Sequence, residues 1–158
     1  MTISKELFLA ILSMDAYNRG YGAGIADGGE GDTDGLGDSH GTQIGTATVD
    51  QASDSDPLSA EFAAGFYAVA YDTPYGTVIS YRGTDNPALR ADPIKGGSDI
   101  INGWVAGAGE ATSQTQMAID FYRSVFGLND PGVSLYSCGP QSGIVTGHSL
   151  GGGLAAYP

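Results

Sequence analysis

Eight residues near the end of the chain, Ile144-Val145-Thr146-Gly147-His148-Ser149-Leu150-Gly151, restrict the fold more than any other stretch. Ile144 and Val145 are β-branched and apolar, and read as a buried strand. Gly147 and Gly151 bracket one serine at a tight turn, and Gly152-Gly153-Leu154-Ala155-Ala156 supply the small residues of a helix that must pack close. A strand that turns at once into a helix belongs to α/β architecture. In a chain with 26 glycines the bare G-x-S-x-G pattern arises by chance often enough to carry little by itself. The strand before it and the small-residue helix after it give it weight.

Such a turn suits one kind of chemistry. A serine hydroxyl becomes a useful nucleophile only when a base takes its proton. Acyl transfer also needs N–H donors aimed at the developing oxyanion. The turn lifts the hydroxyl of Ser149 clear of the sheet, which makes Ser149 the candidate nucleophile. Leu150, first residue of the helix, turns its backbone N–H toward the oxyanion and is the candidate donor.

The rest of the chain supplies a compatible frame. Residues 3–17 place Ile3, Leu7, Ile11 and Met14 on one stripe, with Phe8, Ala10 and Leu12 beside it, predicting a core-packing amphipathic helix that stops near Gly20. Gln43 to Val49 alternates as a loose strand. Phe66–Tyr71 and Thr77–Tyr81 flank Asp72-Thr73-Pro74-Tyr75-Gly76 and predict a hairpin with a five-residue turn. Between residues 113 and 126, Met117, Phe121 and Val125 recur every fourth position, widened by Ala118 and Tyr122. Ser113 and Gln116 match a capping box there, and Gly127 ends the helix. A turn at Asn129-Asp130-Pro131-Gly132 leads to a short apolar strand, Val133–Tyr136. The irregular stretch from Gly83 to Gly109 holds Trp104, read as core or lid packing.

Composition excludes several functions. At 158 residues the chain is long enough for one core and too short for two full domains. Its formal charge is -12, and its six bases are scattered, so neither nucleic-acid phosphate nor an anionic membrane is an expected partner. Nothing approaches the ~20 apolar residues of a membrane span, so no transmembrane segment is expected. The N-terminus lacks the basic start, apolar core and cleavage site of a secretory signal, which leaves cytoplasmic residence or signal-independent export. A single cysteine, Cys138, excludes an intrachain disulfide and a cysteine metal cluster, and reads as a small buried apolar residue.

Residues 21–45 are rich in Gly and Asp and lack periodicity, and read as a solvated acidic insertion. Asp27, Glu30, Asp32, Asp34 and Asp38 offer hard oxygen ligands for calcium. The spacing fits neither template: an EF-hand loop needs a ligand where Leu36 sits, and the GGxGxD repeat needs Asp where Thr33 stands. No cofactor is expected, with calcium kept as a weak candidate.

The segment SGIVTGHSLGGGLAA resembles the nucleophile segment of class 3 (fungal-type) lipases, a family of the α/β-hydrolase fold. Upstream, TVISYRGTD is similar to that family's strand ending in an aromatic-Arg-Gly-Thr/Ser turn, and Ser98-Asp99-Ile100 to Trp104 is a looser echo of its Asp/Asn-Trp segment. The likeness covers roughly residues 60–157 and excludes the acidic insertion. It implies an α/β-hydrolase sheet flanked by helices, and a second oxyanion-hole residue at Thr84. It also implies a lipid or other acyl-ester substrate, hydrolysed through an acyl-enzyme.

The resemblance also exposes what is missing. In this fold the orienting Asp and the base His follow the serine. Nine residues follow Ser149 and none is Asp or His. His148 belongs to the elbow pattern and is not the base in the resembled family, and His40 lies in the acidic stretch. Residues 1–158 are therefore expected to be the N-terminal part of a single hydrolase domain, incomplete at its C-terminus and inactive alone, with the triad Asp and His beyond Pro158. Two rivals stand beside this expectation: a thioesterase, acyltransferase or peptidase of the same fold, and a non-catalytic binding module on a hydrolase scaffold.

Overall fold

The structure, a computed structural model, describes residues 3–20, 42–83, 113–128 and 143–156. In chain order its elements are α1 (Lys5–Asp15), a 3-10 turn (Ala16–Asn18), β1 (Gln43–Ile44), β2 (Ala47–Ala52), α2 (Ala60–Ala64), β3 (Ala68–Thr73), β4 (Gly76–Tyr81), α3 (Ser113–Val125), β5 (Ile144–Gly147) and α4 (Leu150–Leu154). The strands form one sheet in the order β1-β2-β3-β4-β5. The first four are an antiparallel meander, and β5 joins β4 in parallel, with Tyr81 opposite Gly147. This mixed sheet flanked by helices is an α/β arrangement.

Strand alternation divides the core in two. On one face Ala68, Ala70, Ile79 and Tyr81 pack with Phe66 against Ala118 and Phe121 of α3 and Leu150 and Leu154 of α4. On the other, Val69, Tyr71 and Val78 meet Phe8, Leu12 and Ala16 from the N-terminal helical segment. Both faces of β3 and β4 are thus dry, and each large apolar side chain buried there contributes about 1.5–3 kcal/mol.

The predicted helices and hairpin are present, with corrections. Ser4 caps α1 by accepting from the Leu7 amide, but the buried stripe is Phe8, Leu12 and Ala16, while Ile3 and Leu7 are exposed. The inward face is thus rotated from the apolar stripe through Leu7. The helix also buries Asp15 and Ser13, which shifts the inward face toward them. The single strand at 43–49 is instead two, β1 and β2, folded back at Gly45. The β3–β4 turn needs two residues rather than five, since Thr73 pairs with Gly76. The Thr73 hydroxyl donates to the Gly76 carbonyl (2.7 Å) and accepts from the Tyr75 amide (3.1 Å), so pairing continues to the turn.

In α3 the stripe of Ala118 and Phe121, widened by Met117, Tyr122 and Val125, faces the sheet as expected. Its capping box does not form: Ser113 is already helical, and Nε2 of the Gln116 side chain donates to Oδ1 of Asp120 (2.9 Å). Gly127 ends the helix at φ 66°, with the Leu128 amide returning to the Arg123 carbonyl (2.8 Å). The expected strand Val133–Tyr136, Trp104, Cys138 and most of the stretch from Gly83 to Gly109 lie outside the described residues.

Candidate active site

Parallel pairing brings the C-terminal ends of β4 and β5 side by side, the edge where ligands of open α/β sheets bind. At that edge β5 ends in Gly147, His148 and Ser149 form the turn, and α4 begins at Leu150. Ser149 has φ 56° and ψ -126° and is the one non-glycine residue at positive φ among the described residues. A non-glycine side chain in such backbone costs about 1–3 kcal/mol and persists only where its surroundings enforce it.

Those surroundings are backbone contacts. A Cβ on Gly147 would collide with the Gly151 carbonyl, and one on Gly151 with the Tyr81 carbonyl. The two glycines of the pentapeptide are therefore required by close approach, the second letting α4 sit directly on the end of β4. The Gly151 and Gly152 amides close the turn onto the His148 and Ser149 carbonyls, each at 3.0 Å. Ser149 itself is exposed, while Leu150 is buried in the core cluster beneath. As first residue of α4, Leu150 carries an amide for which the helix provides no carbonyl.

Gly83 completes the contact. A Cβ there would lie 2.5 Å from the His148 carbonyl and 3.1 Å from Cβ of Ser149. The residue before Thr84 is thus packed against the Ser149 turn, while Thr84 itself lies outside the described residues. The preceding pair serves the core: the Tyr81 hydroxyl donates to the Ala118 carbonyl (3.0 Å), and Arg82, buried, donates to the Arg19 carbonyl (3.0 Å) with its guanidinium 4.8 Å from the Tyr67 ring.

Sequence reasoning missed Tyr17, on the 3-10 turn after α1. Its hydroxyl accepts from the Gly83 amide (3.0 Å) and lies 3.3 Å from Nδ1 and 3.4 Å from the carbonyl oxygen of His148. The two rings meet edge to face at 5.9 Å. Nothing in spacing announces this contact, because 131 residues separate the partners.

Beside Tyr17 lies a buried polar cluster. Asp15 receives Nε of Arg19 (2.5 Å) and the Tyr71 hydroxyl (2.8 Å). Burial opposes the charge on Arg19, but the hydrogen bond and negative charge of Asp15 outweigh it and raise the guanidinium pKa. Burial, reinforced by Asp15, pushes the Tyr71 phenol far above its ordinary value, and burial also raises Tyr67. This end of α1 is held by charge and hydrogen bonds rather than by apolar packing alone.

Elsewhere, a cleft of about 270 Å³ between β2, α2 and α3 is lined by residues including Asp54, Glu61, Phe66, Met117 and Asp120, and by none of the Ser149 turn. The calcium candidates Asp27, Glu30, Asp32, Asp34 and Asp38, and His40, lie outside the described residues. Among the described residues no group of three or more His, Cys, Asp or Glu is arranged to hold a metal ion, and no helix is long and apolar enough to cross a membrane. Also among them, the His148 ring meets Tyr17 and no carboxylate. No protein-family model matches the chain, and no curated protein or solved structure matches it either.

Proposed function

We propose that the protein is a serine carboxylic-ester hydrolase of lipase or phospholipase type, built on an α/β-hydrolase sheet and working through an acyl-enzyme. The observation that carries this reading is the backbone of Ser149: a strained, exposed serine at a strand-to-helix turn, flanked by glycines that no other residue can replace. In this reading Ser149 attacks the ester carbonyl. The Leu150 amide and Thr84 receive the oxyanion, a role for Thr84 that the packing of Gly83 beside Ser149 supports. The resemblance of SGIVTGHSLGGGLAA and TVISYRGTD to class 3 lipases supports the substrate class, a lipid or other acyl ester. No cofactor is needed for such chemistry, and the general base is assigned to no residue of the described site.

The test is covalent. A fluorophosphonate should label Ser149 in the full-length protein, and Ser149→Ala should abolish both labelling and ester turnover while leaving the fold intact. Thr84→Val should slow turnover by about 10²-fold if its hydroxyl donates to the oxyanion. An unlabelled Ser149 in folded wild-type protein would return the chain to the rival reading, a binding module on a hydrolase scaffold. Labelling with thioester or acyl-transfer turnover in place of ester hydrolysis would keep the mechanism and move the substrate class.

A further inference from the structure

Two pieces of backbone meet at Ser149: the exit of β4 at Gly83, and the turn itself at His148. They are distant in sequence: the parallel ladder holds β4 to β5 as far as Tyr81 and Gly147, and just beyond its end Gly83 lies close against the His148 carbonyl and Cβ of Ser149. One hydroxyl bridges them. Tyr17 Oη accepts from the Gly83 amide (3.0 Å) and lies within reach of both the carbonyl and Nδ1 of His148 (3.4 and 3.3 Å). A phenol carries one proton and two lone pairs, so accepting from Gly83 leaves that proton for His148. If Nδ1 is unprotonated it can take the proton; if Nδ1 carries hydrogen, it donates to Oη and the phenol donates to the carbonyl. The bridge survives either tautomer.

Tyr17 is also held from both sides. Two residues before it, Asp15 is fixed by the Tyr71 hydroxyl and Arg19, and two residues after it, the Arg19 carbonyl accepts from buried Arg82. The hydroxyl therefore has a position set by the α1 side of the sheet. It also occupies the Gly83 amide, which removes that N–H from the list of oxyanion donors and fixes the plane of the Arg82–Gly83 peptide.

We propose that Tyr17 is a positioning residue of the Ser149 site: its hydroxyl clamps the β4 exit to the nucleophile turn, and so fixes Ser149 relative to the Gly83 end of β4. The proposal rests on the hydrolase reading above. It assigns Tyr17 no contact with substrate.

The experiment compares wild type, Tyr17→Phe and Ser149→Ala in the full-length protein, with a soluble p-nitrophenyl ester, a fluorophosphonate, thermal melting and amide exchange at Gly83. Tyr17→Phe keeps the ring and removes the bridge. It should lower kcat by about 10- to 100-fold with KM within about twofold, because geometry at the reacting centre is lost while binding is not. Phosphonylation of Ser149 should slow in parallel, and the Gly83 amide should exchange faster. A kcat per folded molecule within about twofold of wild type would overturn the proposal and leave Ser149 standing as nucleophile. A loss that follows only the folded fraction in the melting curve would overturn it too, reducing Tyr17 to packing. Wild-type turnover equal to that of Ser149→Ala would instead sink the hydrolase reading, and the positioning role with it.

Discussion

The two faces of the sheet are built by different physics and meet at the same turn. The α3–α4 face is largely apolar: Phe66, Ile79, Tyr81, Ala118, Phe121 and Leu154 exclude water with few directional contacts. The α1 face mixes Leu12, Val69 and Val78 with Asp15, Arg19, Arg82 and the phenols of Tyr67 and Tyr71. Dispersion and hydrophobic burial tolerate small slips, whereas a buried ion pair tolerates few, because a misplaced charge has no water to fall back on. The apolar face therefore holds α4 down, and the polar face fixes where the end of α1 lies. The difference teaches that stability and site geometry are separable here, residue by residue.

The comparison breaks most readily under Phe121→Ala. Removing the ring should cost about 3–5 kcal/mol and lower the melting temperature by roughly 10 °C. Turnover per folded molecule should stay unchanged; a drop in it would mean that the apolar face also shapes the site. On the opposite face Asp15→Asn leaves Arg19 buried without its charge partner and should cost about 3 kcal/mol. Here kcat should fall as well, beyond the loss of folded protein, since Tyr17 lies between Asp15 and Arg19. Equal kcat in the two variants, after correction for folding, would erase the contrast.

A smaller effect comes from alkali. Burial, with Tyr122 beside it, raises the Tyr81 phenol, as burial and Asp15 raise Tyr71, and unfolded tyrosines titrate near 10. The folded chain thus holds its phenolic protons more tightly than the unfolded one. That stabilisation is complete below pH 10 and is lost as pH climbs toward the raised folded values. Melting temperature between pH 8 and 11 should fall above pH 10, and Tyr81→Phe should soften the fall. A flat profile would show that neither face excludes the phenolate. The smallest shift is upward: Ser149→Gly relieves the positive φ and should add about 1 kcal/mol, roughly 3 °C, while abolishing turnover. A destabilised Ser149→Gly would show that the serine is at ease in its turn.

Sequence was informative where the physics is local. The strand-turn-helix at Ser149, the hairpin at Pro74 and the α3 stripe each follow from neighbours within a few positions, and each is present. It failed where the deciding partner is remote. Leu7 looked inward until Asp15 proved buried, which required Tyr71 from β3 and not a periodicity in α1. Ser113 and Gln116 had the right spacing for a cap, yet Gln116 bonded Asp120. Tyr17 carried no signal at all, because a lone aromatic after a helix reads as packing until Gly83 and His148 are placed beside it. The two glycines of the pentapeptide were legible as a pattern, whereas Gly83 was legible only as part of Tyr81-Arg82-Gly83-Thr84, without its contact.

The one parallel pairing among the described strands has a kinetic consequence. Two-residue turns join β1 to β2 and β3 to β4, and the segment 53–67 with α2 joins β2 to β3, so these four can associate as each leaves the ribosome, at modest loop-closure cost. Strand β5 begins at Ile144 and must find β4, which ended at Tyr81, across the whole intervening chain. The contacts that seat the Ser149 turn on the sheet, from Gly151 on Tyr81 to Tyr17 on His148, wait for that docking event. The surroundings of Ser149 are thereby completed in a late step, after the antiparallel part of the sheet has formed.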